Sequence, residues 1–280
     1  LRASTLKRTG HDRWDVMLGV GGLVERSLLA MTGDDGPRYR LLETPHAYAL
    51  ERLREAGEEQ PMRLRHAQLT RRRFEAAYED YVRRVESVTD WRAALQPDMD
   101  DGRAALAFAR EHDSPTAVAL ATCLALTLAN ESPNEQRAML LETQELLRDD
   151  MARDLCARWY QAAAFAFADT KPAEARAWAA EAALRFRAEG DQVGLYRALG
   201  IRVYVGHGEG EAAIHQLLAE MQAVEGKHWP AVVRAEGAHA AACAYSAVGD
   251  FEQSLSWRRR CVDLYARAGH TWRHLAEQAN

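Results

Sequence analysis

Residues Arg38 to Glu58 constrain this chain more than any other stretch. Arg38-Tyr39-Arg40-Leu41-Leu42 alternates large polar and apolar side chains, the period-two pattern of a half-buried strand. Thr44 then offers a hydroxyl N-cap, and Pro45 falls at the first helical position, where its missing N–H costs nothing. Tyr48, Ala49, Leu50 and Leu53 keep an apolar stripe at helical spacing, and Gly57 is placed to stop the helix. A strand therefore runs straight into a capped helix.

Upstream, residues 14–31 read as a helix leading into a strand. Val16, Leu18, Val20, Leu23 and Val24 are apolar, and Leu28 to Met31 turns extended. Thr32-Gly33-Asp34-Asp35-Gly36-Pro37 is a turn cluster, so Leu28–Met31 and Tyr39–Leu42 should pair as a β-hairpin. Helix, hairpin, helix is the C-terminal half of a winged-helix unit. The chain opens at Leu1 with an unpatterned polar segment, Arg2 to Asp12, as a piece of a longer protein would.

After Pro61 the pattern becomes helical. A long helix is expected over Met62 to Val88, followed by helices near Gly102 to Glu111, Pro115 to Asn130 and Pro133 to Asp149. From Met151 a repeat emerges. Thr170–Ala175, Gly208–Ala213 and Gly249–Ser254 are matching turns, each between two apolar helices, with a period of about 40 residues. Ala175, Ala182, Ala213, Ser254 and Cys261 supply small residues where paired helices approach, and Tyr204 and Tyr245 share the matching first-helix position. Gly190-Asp191 and Ala268-Gly269 mark helix exits, and Trp272, His274 and Leu275 begin a further helix. The array resembles tetratricopeptide (TPR) repeats, with Gly249 to Leu255 the best match. Such helix pairs stack and line one face with their first helices. Matching the three turns in register places Tyr160, Phe167, Leu195, Arg202, Glu236 and His239 toward that face. Phe167 and Leu195 suit packing between repeats, which leaves Tyr160, Arg202, Glu236 and His239 as the candidate partner-binding residues.

Composition narrows the function classes. Hydrophobic residues make up 48%, enough for a sizeable core. The net charge of -5 argues against a protein that grips nucleic acid over its whole surface. Arg63, Arg65, Arg71, Arg72 and Arg73 could contact phosphates, though a solvated helix face laced with i,i+4 ion pairs is the favoured reading. Cys123, Cys156, Cys243 and Cys261 form no CxxC pair and read as small buried hydrophobes. His270 and His274 stand at i,i+4, but no third metal ligand is supplied nearby, and His207 and His215 are no better placed. Asp98, Asp100 and Asp101 lack the rest of a calcium loop and read as an acidic helix start. No nucleophile elbow or motif-placed base is present, so no catalytic residue, metal site or enzyme activity is expected. No apolar run approaches the roughly 20 residues that span a bilayer, and no membrane partner is expected.

The segments Gly22-Leu23-Val24-Glu25-Arg26-Ser27-Leu28-Leu29, Arg38 to Glu58 and Arg65-His66-Ala67 resemble the region just after the ATPase core in bacterial STAND-class regulators, signal-transduction ATPases of which many control transcription. Asp100-Asp101-Gly102-Arg103-Ala104-Ala105-Leu106 resembles that family's DN-x-RAAL segment, with Asp101 for the usual Asn and Phe108 where a Trp is common. His46 stands where the family usually has Arg. Leu42-Glu43 falls where related nucleotide switches carry a His-Asp pair, and a Leu cannot hydrogen-bond a phosphate, so that role is not carried over. The chain has no GxxxxGK[ST] loop.

The resemblance implies a winged-helix segment that packs on an upstream nucleotide-binding domain, which would hold ATP or ADP, and a helical-repeat sensor for a small-molecule or protein inducer. It implies a cytoplasmic bacterial protein and no cofactor held by this chain. The expected fold is mostly α: a partial winged helix with a β-hairpin over 1–60, a helical linker or bundle over 61–150, and a TPR-like α-solenoid over 151–280. A free-standing TPR-like interaction scaffold is the alternative.

Overall fold

The computed structural model describes residues 13–32, 38–129, 131–206 and 210–279. The opening polar segment, the turn cluster expected at 33–37, Asn130, His207 and the first two residues of the Gly208–Ala213 turn lie outside the described residues. The fold is mostly α, with one two-stranded antiparallel sheet near the amino end. The chain divides into two compact units, Leu1–His66 and Ala67–Asn280.

The first unit contains α1 (Arg13–Glu25), β1 (Leu29–Thr32), β2 (Arg38–Leu41) and α2 (Glu43–Glu55). α1 ends on Ser27 in the left-handed region at φ 55°, where the Leu28 N–H reaches the Leu23 carbonyl at 2.9 Å. The expected hairpin is present. Leu29 opposes Leu41 and Met31 opposes Tyr39, each strand bound within one residue of its expected place. The start of α2 needs correction. Leu42, in extended backbone, is the N-cap, and no side chain caps the helix. Thr44 and Pro45 lie inside the first turn, where the N–H that Pro lacks would have had no intrahelical partner. Gly57, at φ 71°, does end the helix: its own N–H reaches the Arg54 carbonyl and the Glu58 N–H reaches that of Leu53.

α3 spans Glu59–Arg83. It begins before Pro61 for the same reason that α2 tolerates Pro45. It stops before Val88 because Ser87 adopts extended backbone and caps α4 (Val88–Leu95), accepting from the Asp90 N–H at 3.2 Å.

In the second unit α5 (Met99–His112), α6 (Ser114–Leu128) and α7 (Pro133–Gln144) precede the repeats. α7 ends five residues before the expected Asp149, and Leu146 and Leu147 fold against the core instead. The repeat pairs are α8 (Arg153–Phe167) with α9 (Pro172–Glu189), α10 (Gln192–Tyr204) with α11 (Glu211–Val224), and α12 (Ala231–Ala247) with α13 (Phe251–Arg267). α14 (Thr271–Ala279) follows on α13.

Local chemistry explains several boundaries. Asp113, Asp191 and Asp250 cap α6, α10 and α13, each accepting a backbone N–H three residues on. Close approach fixes the stacking of α10 on α12: a Cβ on Gly237 would lie 2.0 Å from the Tyr196 hydroxyl. Ala175, Ala182, Ser254 and Cys261 are buried as their expected seam positions require. α6 is buried on nearly all sides, as its uniformly apolar sequence demands. It packs on α8, and Met139 and Ala157 share one apolar cluster, so residues 67–150 and 151–280 share a core. Trp159 anchors the neighbouring cluster, with its indole N–H on Thr143 Oγ1 at 3.0 Å and Trp178 edge-on to it. Among the described residues no helix is long and apolar enough to cross a membrane.

Candidate functional site

The second unit holds a cavity of about 430 Å³, lined from α3, α4, α6, α7, α8, α10, α12, α13 and α14. That is within the size range of small-molecule sites. Its polar centre is Arg197 on α10. The guanidinium donates from Nε to Glu236 Oε2 at 2.7 Å and from Nη1 to the Tyr78 hydroxyl and Gln161 Oε1 at 3.3 and 3.4 Å. Tyr81 donates to Glu236 Oε1 at 3.1 Å, and Gln161 donates to the Gly194 carbonyl at 3.2 Å. A buried arginine needs such a set of partners, because a charge taken out of water is costly unless paired. Burial opposes the Arg197 charge, but Glu236 and the surrounding acceptors hold its pKa above the ordinary value. Burial pushes both Tyr78 and Tyr81 upward, and Glu236 adds to the rise for Tyr81, so the phenols stay protonated donors.

A second cluster sits at α12, α13 and α14. His239 Nδ1 lies 2.6 Å from Glu277 Oε1, Arg258 Nη1 donates to Glu277 Oε2 at 3.0 Å, and the His239 ring stacks on Tyr204 at 5.7 Å. Burial works against protonation of His239, but Cys243, Cys261 and Glu277 hold its pKa up at about 11. Burial raises the Glu277 carboxyl, yet its bond to His239 and the nearby cationic charges bring it below the ordinary value. His239, Cys261 and Glu277 offer donor atoms within 4.8 Å of one another, close enough for a metal ion. Both Glu277 oxygens lie within ion-pair distance of cationic groups, however, so the cluster reads as an ion triad around a buried carboxylate.

The cavity has a positive end and an apolar wall. Five arginines line it against two carboxylates, Asp169 and Glu236. Arg92 and Arg273 flank His270, whose pKa falls to about 4 through burial and the charge of those two arginines, so the imidazole is neutral. Arg92 donates from Nη2 to the Ala129 carbonyl at 3.4 Å and pairs from Nη1 with Glu131 at 3.0 Å, while its buried Nε has no hydrogen-bond partner. Beside this end α6 and α8 present Leu126, Ala129, Ala162 and Phe165.

Of the residues expected on the binding face, Glu236 and His239 line the cavity. Tyr160 and Arg202 do not. Tyr160 lies under the Arg185 guanidinium at 5.4 Å and edge-on to Trp159, and the partly buried Arg202 has a buried Nε without a partner. Phe167 and Leu195 are core residues. On α3, Arg63 pairs with Glu59 at 2.8 Å and Arg71 with Glu75 at 2.9 Å. Arg65 leans on the Met62 sulfur at 3.9 Å, Arg73 pairs with the buried Asp98, and Arg72 is exposed. His274 bonds to the Val262 carbonyl at 3.2 Å, away from the arginine pair around His270.

Arg197, Tyr78, Tyr81, Gln161, Arg92 and Arg273 are functional candidates that sequence reasoning missed. One signal was available: Arg197 is a lone charge within Val193-Gly194-Leu195-Tyr196-Arg197-Ala198-Leu199, and a charge in so apolar a run has to find partners inside. Comparison with known protein families and with curated protein sequences finds no match to this chain.

Proposed function

We propose that this chain is the regulatory part of a bacterial, cytoplasmic STAND-type ATP-dependent transcriptional regulator. The helix–hairpin–helix unit docks on a nucleotide-binding domain outside these residues, and the helical repeats sense an inducer. The observation that carries this reading is in the first unit. None of its described residues is buried, and Trp14, Leu18, Met31 and Tyr48 are each more than half exposed. So many large apolar side chains left in water within one small unit point to a covering partner. The resemblance of Gly22–Leu29, Arg38–Glu58 and Arg65–Ala67 to STAND regulators supplies that partner, since there the equivalent segment packs on the ATPase.

The work assigned to the chain is coupling rather than chemistry. An inducer shifts the docking equilibrium only by its differential affinity for the two states. About 3 kcal/mol of difference changes the ratio roughly a hundredfold. The test is nucleotide exchange in a longer protein that carries the nucleotide-binding domain. Trp14→Ala with Leu18→Ser should change the ADP release rate at least several-fold, and an unchanged rate would sink the reading. The cavity lies wholly within the second unit, which favours a second reading as a free-standing TPR-like scaffold. A coding sequence without a P-loop ahead of Leu1 would select it.

A further inference from the structure

We infer that the ion triad at α12, α13 and α14 is the proton-loaded form of a zinc site, in which His239 Nδ1, Cys261 Sγ and the Glu277 carboxylate together hold one Zn2+. The inference is independent of the sensor reading, since it concerns side chains of the second unit and needs no nucleotide-binding domain.

The donors are of the kinds zinc takes: an imidazole, a thiol and a carboxylate, all within 4.8 Å of one another. Cys261 is fully buried and the Glu277 side chain is 1% exposed, so water satisfies neither. Glu277 Oε1 lies 2.6 Å from His239 Nδ1, yet that nitrogen is buried and has no well-aimed hydrogen bond. The pair is held by charge, and the directional partner that a buried ring nitrogen normally has is missing. A metal ion is such a partner. The neighbouring groups stand where outer support for the ligands belongs. His239 Nε2 faces the Cys243 sulfur at 3.8 Å, which orients the ring and leaves Nδ1 for the metal. Arg258 donates to Glu277 Oε2 at 3.0 Å, which leaves Oε1.

Charge does not oppose the exchange. Zinc binds deprotonated ligands, so its two positive charges replace the imidazolium proton of His239 and the thiol proton of Cys261, and both protons pass to water. The net charge of the cluster is the same before and after, and the nearby Arg258 and Arg273 meet no added positive charge. With bonds of about 2 Å, two ligands of a tetrahedral ion stand roughly 3.3 Å apart, so the ring and the carboxylate part by less than ~1 Å as the ion enters. Of the three ligands His239 lines the cavity, which gives the ion its route in and a water its place as fourth ligand. A thiolate in the set selects zinc over Mg2+ or Ca2+. The three donors come from three different helices, so spacing along the chain does not reveal them, and the bound ion pins α14 to α12 and α13.

The test uses this chain with Co2+, whose thiolate complexes absorb in the near ultraviolet, and Zn2+ as competitor. A thiolate-to-cobalt band is expected to saturate at one Co2+ per chain, to be bleached by one Zn2+, and to survive excess Mg2+. Cys261→Ser should abolish it, whereas Cys243→Ser should keep it, which assigns the thiolate even if the first variant does not fold. Glu277→Gln and His239→Gln should each weaken Co2+ binding about tenfold or more. Zn2+ should raise the melting temperature of the unaltered chain, and a chelator should reverse the rise. The inference is overturned if Co2+ gives no thiolate band, as binding at surface histidines alone would. It also falls if the band is lost in Cys243→Ser, or if Glu277→Gln and His239→Gln change affinity less than about twofold.

Discussion

Trp14 and Trp159 are the same side chain in opposite circumstances. Trp14 on α1 is 68% exposed, whereas Trp159 on α8 is 1% exposed and hydrogen-bonded through its indole to Thr143. The contrast extends to the units that hold them. The second unit buries aromatic, aliphatic and alanine side chains throughout its stacked helices, but among its described residues the first unit buries none. Holding a residue in one backbone conformation costs roughly 1–2 kcal/mol, which apolar burial has to offset. The second unit meets that requirement internally. The first is locally well formed, with a registered hairpin and a glycine-terminated helix, yet it lacks the burial that makes local structure persist.

The strongest way to break this contrast is to separate the two regions. Residues 59–280, which keep α3 whole, should melt cooperatively by circular dichroism with most of the helix signal retained. Residues 1–58 alone should show no cooperative transition, and a sharp melt from that fragment would refute the comparison. Next in size is the tryptophan pair. Trp159→Ala should cost about 3–5 kcal/mol in chemical denaturation, from lost burial and the cavity left behind. Trp14→Ala should stay within about 0.5 kcal/mol. Glu236→Ala strands the Arg197 guanidinium and removes an acceptor from Tyr81, and should cost about 3 kcal/mol, while Arg197→Met with Glu236→Leu should cost less than that single change.

The pH dependence is smaller and has a definite sign. His239 is raised from 6.5 to about 11, so its contribution to stability is whole below pH 6.5 and drains away as pH climbs toward 11. Glu277 is lowered from 4.5, so its contribution is whole above that value and is lost as pH falls through it and below. The melting temperature of residues 59–280 should therefore peak between about pH 5 and 6.5. In His239→Asn the alkaline decline attributable to this residue should disappear, and an unchanged slope would count against the triad. The smallest effect belongs to Arg52→Ala, which breaks an ion pair with Glu55 whose two side chains are both about half exposed. No resolvable change in melting is expected there.

What could be read from the sequence follows the range of the interactions. The hairpin, the glycine after α2 and the repeat turns rest on neighbours a few residues apart, and their positions came within a few residues of the observed ones. The start of α2 moved because a proline is tolerated anywhere in a first turn, which makes it a poor marker of the first residue. The cavity was mostly illegible. Its network joins Tyr78, Gln161, Arg197 and Glu236, residues brought together only by stacking. Matching the turns placed Tyr160 and Leu195 inward where Gln161 and Arg197 point in, errors of one and two residues, and each residue along a helix rotates a side chain by about 100°. Small register errors therefore exchange a wall residue for a core residue. Nothing in the repeat pattern announced that Tyr78 and Tyr81 of α3, or Arg92 of α4, complete the cavity from outside the repeats.

The cysteines supply a practical handle. Cys123, Cys156 and Cys261 are buried, and burial raises each of their thiol pKa values, that of Cys123 to about 12. Cys243 is partly exposed and sits 3.8 Å from the His239 ring. An alkylating reagent should therefore tag this chain at one position, beside the histidine that lines the cavity, giving a reporter of occupancy that needs no engineered cysteine within these residues.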